Sequence, residues 1–100
     1  MLRDQVLAQL KVALPELRRQ FNVRELSVFG SVARGQDDPS SDVDVFVSFE
    51  PQARVTLSTL GRLVDTLESI LGRNVDIVED HPRLRPVFRD LIERDLLRVA

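Results

Sequence analysis

The chain has 100 residues, 43% apolar and 30% charged, with a formal net charge of −2 at neutral pH. That supports one modest core rather than two, and it lies well away from the low-hydrophobicity, high-charge regime of disordered chains. The absence of cysteine and a single histidine exclude disulfides, thiolate metal sites and a histidine-rich zinc cage, and the near-neutral charge without a basic tract argues against a dedicated nucleic-acid binder.

The opening MLRDQVLAQL alternates charge with leucine, unlike a signal peptide, and no apolar run is long enough to span a bilayer. A cytoplasmic single domain over residues 1–100 is therefore expected. Leu2, Val6, Leu10, Ala13, Leu14 and Leu17 recur at spacings of three and four, the stripe of an amphipathic helix. Pro15 either kinks that helix or opens a second short one, and the sequence does not choose. RELSVF, Arg24 to Phe29, is β-rich and stops at Gly30, giving a first strand followed by a turn or short helix.

QDDPSS concentrates turn formers. DVDVFVSF then alternates strictly, placing Val43, Val45, Val47 and Phe49 on one face of a second strand and Asp42, Asp44, Phe46 and Ser48 on the other. Pro51 breaks it. Leu57, Leu60, Val64, Leu67 and Leu71 trace a helix ending near Gly72, a residue suited to a left-handed C-terminal cap. NVDIVE reads as a third strand. After Pro82, Leu84, Val87, Phe88, Leu91 and Ile92 outline a last helix with a charged, solvated outer face, and LLRVA extends it or frays. The expected fold is α+β, a two-layer sandwich of a small mixed sheet with helices on one face, with a parallel crossover between the second and third strands.

Asp42 and Asp44 leave the same face of a strand about 6 to 7 Å apart, and Asp76, flanked by Val75 and Ile77, joins them if the third strand lies alongside. At an effective dielectric near 20, each like-charge pair about 6 Å apart costs roughly 2 to 3 kcal/mol, so three pairs approach the low end of a domain's stability of about 5 to 15 kcal/mol. Partial protonation or a hard cation offsets that cost, and an all-oxygen cluster suits Mg²⁺ or Mn²⁺. A calcium loop starting at Asp42 is excluded by Phe46 at a ligand position and by the missing glycine. Asp37 and Asp38 belong to the turn and need no further role.

Gly30 lets backbone approach a ligand, Ser31 adds a hydroxyl, and the amides of the following turn offer donors to phosphate oxygens, although GSVARG is not the GxxxxGK[ST] phosphate loop. Arg34 either holds a phosphate or pairs with a local aspartate. A nucleophilic Ser31 is disfavoured because the one histidine, His81, sits in a proline-flanked loop with no orienting partner. Lys11 is the one lysine, which closes the Schiff-base route for the rest of the chain.

FGSVARG, SDVDVFV and VDIV, in that order and over nearly the whole chain, resemble the minimal nucleotidyltransferases (MNT) of the DNA polymerase β superfamily. The resemblance implies that Gly30 and Ser31 hold a nucleoside triphosphate, and Arg34 stands beside them as a candidate phosphate ligand. It also implies that Asp42 and Asp44 bridge two Mg²⁺ ions and that Asp76 holds the ion activating the incoming hydroxyl, so that all three acids are both metal ligands and catalytic. Because larger members carry a further domain that grips base or acceptor, it implies a partner from the HEPN family, a toxin whose tyrosine receives AMP from ATP. A non-catalytic antitoxin and a small-molecule transferase of the aminoglycoside type are the alternatives; the acceptor, the preferred base, and homo- or hetero-oligomeric assembly are left open.

Overall fold

A computed structural model describes residues 2–36, 38 and 40–99. It contains α1 (Leu2–Phe21), β1 (Val23–Phe29), α2 (Gly30–Arg34), β2 (Val43–Phe49), α3 (Leu57–Leu71), β3 (Val75–Glu79), α4 (Pro86–Glu93) and β4 (Leu97–Arg98). The four strands form one mixed sheet in the order β3-β2-β1-β4. β1 runs antiparallel to β2 and β4, whereas β2 and β3 are parallel across the α3 connection.

α1 runs unbroken through Pro15. Proline removes one backbone hydrogen bond and crowds the carbonyl four residues back, that of Lys11. Both Lys11 and Pro15 face solvent, so water meets that carbonyl, while Val6, Leu10, Leu14, Leu17 and Phe21 are buried on the opposite stripe. At about 1.5 to 3 kcal/mol per buried aliphatic or aromatic side chain, five anchors outweigh a proline penalty of about 3 kcal/mol. Asn22 then turns the chain into β1 with φ +58°, a conformation asparagine tolerates, and its amide reaches the Arg18 carbonyl at 3.0 Å.

α3 begins at a reciprocal Thr56–Thr59 capping box and ends, as its sequence predicts, at Gly72 with φ +66°, whose amide donates to the Glu68 carbonyl at 2.8 Å. α1 and α3 cover the sheet face formed by Val28, Val43, Val45 and Val47, and Leu63 and Leu67 of α3 complete that core. None of the described helices is long and apolar enough to cross a membrane.

Two elements differ from the expectation. The last helix starts at Pro86, with proline in its first turn, and Leu84 belongs to the preceding turn, its amide donating to the His81 carbonyl. The described part of LLRVA neither extends the helix nor frays: Val28 pairs with Leu97 and Ser27 with Arg98, and the Val99 amide donates to the Leu26 carbonyl at 2.9 Å, while Ala100 lies outside the described residues. The free edge of β1 supplies these partners, and Val99 enters the core with Leu97 against it. α4 adds cover on the opposite face of the sheet, where the Arg89 guanidinium lies 5.9 Å from the Phe46 ring centre.

Candidate active site

Residues directly across a sheet share a face, so the pairings Phe29 with Asp44, Asp44 with Asp76, Ser27 with Phe46 and Phe46 with Val78 lay out the side opposite the core row by row. The first row is Phe29, Asp44 and Asp76; the second is Ser27, Phe46 and Val78. α4 lies against the second row, with Arg89 over Phe46, while in the first row Asp76 is exposed and Asp44 partly so. The parallel register, Val43 beside Val75, brings Asp76 level with Asp44, and Asp42 lies two residues before Asp44, immediately ahead of β2.

Asp44 is partly buried, while Asp42 and Asp76 are exposed. Burial is the first cause that raises the Asp44 pKa above its ordinary value; the charges of Asp76 and then Asp42 raise it further, and the Arg34 guanidinium opposes them. Asp44 therefore lies within the field of both Asp76 and Asp42. Among the described residues no group of three or more His, Cys, Asp or Glu side chains is gathered closely enough to form a ready-made cage.

Gly30 sits where the chain leaves β1, with φ +76°. A Cβ at this position would run into the Asp44 carboxylate and stand 3.1 Å from its Cγ. Glycine is thus required twice: by the left-handed backbone and by the aspartate packed over it. Ser31 follows in the first turn of α2, and its carbonyl accepts from the Gln36 amide at 2.9 Å. Arg34 closes α2. Its Nη1 donates to Asp95 Oδ2 at 2.7 Å and its Nε to Gln36 Oε1 at 2.9 Å. Of the two fates considered for this arginine the structure shows an ion pair, made with distant Asp95 and not with a local aspartate, and its charge also lowers the Asp44 pKa.

Gly30 and Arg34 also line a groove of about 320 Å³ against α4, walled by Phe29, Val78, Phe88, Leu91 and Ile92. A polar hollow of about 490 Å³ lies on the other side of Asp42, lined by Ser40, Ser41, Glu68 and Arg73 among others. Arg73 Nη1 donates to the Ser41 carbonyl at 3.1 Å, and Glu68 accepts the Val75 amide at 2.9 Å, so the α3–β3 turn grips the segment that delivers Asp42. Asp38 stays in its turn as expected: the Ser40 hydroxyl and amide bond its carboxylate and hold its pKa below the ordinary value. Asp37 lies outside the described residues. His81 is a loop residue whose Nδ1 accepts the Arg83 amide at 3.0 Å.

Sequence reasoning missed Asp80, Arg89 and Asp95. Ser48 donates to Asp80 Oδ2 at 3.0 Å, and Arg89 Nη1 meets Asp80 Oδ1 at 2.7 Å, clipping α4 to the sheet. A signal for Asp80 existed, since the alternation through Asp76 and Val78 places it on the same face. Nothing local marks Asp95, whose partner is 61 residues away.

The sequence profile of the nucleotidyltransferase domain matches residues 10–99. The chain belongs to the nucleotidyltransferase family. This nucleotidyltransferase is 34% identical over 83 residues, 83% of each chain, to a Methanocaldococcus jannaschii protein provisionally named a protein adenylyltransferase. It is 46% identical over 63 residues, 63% of its own length and 62% of the other's, to the protein adenylyltransferase MntA of Thermococcus cleftensis. A solved structure provisionally called a minimal nucleotidyltransferase superposes with a TM-score of 0.74 at 35% identity, over 93% of this chain and 92% of that one. The fold is also shared, at 20% identity and TM-score 0.72, with a chain of a toxin–antitoxin complex crystallised with AMP-PNP, over 90% of this chain and 72% of that one. The expected kinship with the minimal nucleotidyltransferases is thereby borne out, and with it the assignment as an enzyme of the nucleotidyltransferase class.

The donor set is entirely oxygen, and Asp44, whose pKa is raised first by burial and then by the charges of Asp76 and Asp42, would gain from a nearby cation, so the donor chemistry suits Mg²⁺ or Mn²⁺.

Proposed function

We propose that this nucleotidyltransferase acts in the cytoplasm, carrying AMP from ATP to a hydroxyl, a tyrosine, of a HEPN-family partner toxin, and thereby serves as its antitoxin. The observation that carries the reading is Asp44, packed over a left-handed Gly30, level with Asp76 across the sheet and under the combined field of Asp76 and Asp42. Relatives named as protein adenylyltransferases support the choice of a protein acceptor. A similar fold in a tri-AMPylated Shewanella oneidensis HEPN toxin complex with its MNT antitoxin, at 17% identity and TM-score 0.66, motivates the choice of partner.

Asp42, Asp44 and Asp76 would hold the metal, which when bound neutralises their charge and that of the phosphates. Gly30 and Ser31 bind the triphosphate, and Arg34 offers positive charge beside it. The acceptor oxygen attacks the α-phosphorus, the bond from that phosphorus to the oxygen of the departing pyrophosphate breaks, and the hydroxyl proton passes to the Asp76 carboxylate. Atoms and charge balance as AMP-ester plus pyrophosphate.

Incubation with α-labelled ATP, Mg²⁺ and a candidate HEPN-family partner protein is expected to label that protein, with loss of at least about a thousandfold in Asp42→Asn/Asp44→Asn. Unchanged labelling in the double variant refutes the site. Neutralisation of the toxin without label replaces the reading with a non-catalytic antitoxin.

A further inference from the structure

We infer that Asp95 is a positioning residue for nucleotide binding, fixing the Arg34 guanidinium in the orientation that meets the triphosphate. The inference rests on the reading of Arg34 as a phosphate ligand given above.

Arg34 ends a helix of only five residues and is followed by Gly35 at φ +71°, so its backbone setting does little to direct a long side chain. Direction comes from two hydrogen bonds that engage different nitrogens of the planar guanidinium: Nη1 to Asp95 at 2.7 Å and Nε to Gln36 at 2.9 Å. Two fixed points define the plane of the group. The third nitrogen, Nη2, makes no hydrogen bond to any described residue and is left for a ligand. The held group shares the groove with Gly30, and its charge reaches Asp44.

Asp95 is itself well anchored. It lies in the turn between α4 and β4, its amide donates to the carbonyl of buried Ile92 at 3.3 Å, and the chain after it is pinned to β1 by the Leu97 and Val99 pairings. Its carboxylate is only about a quarter exposed. The sequence thus brings an acid from the C-terminal end of the chain to the one arginine of α2, and the strand that no periodicity announced is what delivers it. An ion pair serving merely to tie α2 to the α4–β4 turn would need a single contact, whereas the Arg34 guanidinium is held at two of its nitrogens.

The test is a double-mutant cycle on binding of Mg²⁺-ATP, read by calorimetry on the full chain, with melting temperatures confirming that each variant folds. Arg34→Ala is expected to weaken binding about tenfold or more, and Asp95→Asn about three- to tenfold. Asp95→Asn should add nothing in the Arg34→Ala background, and Asp95→Glu should recover part of the loss. Additive losses, or an Asp95→Asn variant that binds normally while Arg34→Ala does not, overturn the positioning role and leave Arg34 as a ligand. Unaltered binding by Arg34→Ala removes both.

Discussion

Asp44 occupies a position where glycine behind it and acids beside it leave little freedom. Its carboxylate fills the space a side chain at residue 30 would need, and its pKa is raised by burial, by Asp76 and by Asp42. The folded chain therefore keeps this proton to higher pH than the unfolded chain does. The associated penalty is absent below the ordinary value of 3.8, grows as pH rises through the window above it, and is fully present at neutrality. Asp44→Asn removes a charge of similar shape without its field. With no divalent metal added, the variant should melt above wild type at about pH 7, by the few degrees that correspond to roughly 1 kcal/mol in a domain of this size after solvent screening. At about pH 3 the difference should disappear. Calorimetric melting at the two pH values decides it, and an equal shift at both would show that the field of the neighbouring acids is not the cause.

α4 shows how an element can be legible as a helix and misread as a surface. The spacing of Val87, Phe88, Leu91 and Ile92 marks the helix, but only Ile92 is buried, and the other three are about half exposed. What fastens it is polar: Arg89 meets Asp80 at 2.7 Å and the His81 carbonyl at 3.2 Å, and its guanidinium lies over Phe46. Alternation in β2 placed Phe46 and Ser48 opposite the core without saying what would cover them, so the charges of α4 read as solvated. β4 was hidden for a different reason. Two residues carry no periodicity, and the edge they pair with lies some 70 positions earlier. Arg89→Met keeps the apolar stem and removes the clip. It should speed hydrogen exchange of the α4 amides by about tenfold or more, in line with about 1.5 to 3 kcal/mol for hydrogen bonds to a charged group, while β2 amides keep their protection. Unchanged protection of α4 would mean that its apolar contacts suffice.

At the scale of the whole molecule, the order of the longer helices and of β1 to β3 was readable because each carries its own period and its own stop, as at Gly30, Pro51 and Gly72. The meeting of the acids was readable only conditionally. Alternation sets the face of Asp44 and of Asp76, but their being level depends on the register of Val43 against Val75, which long-range packing decides. That register makes the site a junction between two strands separated in sequence by all of α3, so a ligand held there binds only the assembled sheet and stabilises the fold by mass action. Adding Mg²⁺ to wild type at about ten times its dissociation constant should contribute about 1.4 kcal/mol, a rise of several degrees in melting temperature, and chelation should reverse it. Asp44→Asn and Asp76→Asn should each lose the rise, although Asp44→Asn without metal starts from the higher melting point. The two variants alter strands that meet only in the folded sheet, so loss in both places metal binding at their junction, whereas a rise retained in either would place the metal elsewhere on the acidic surface.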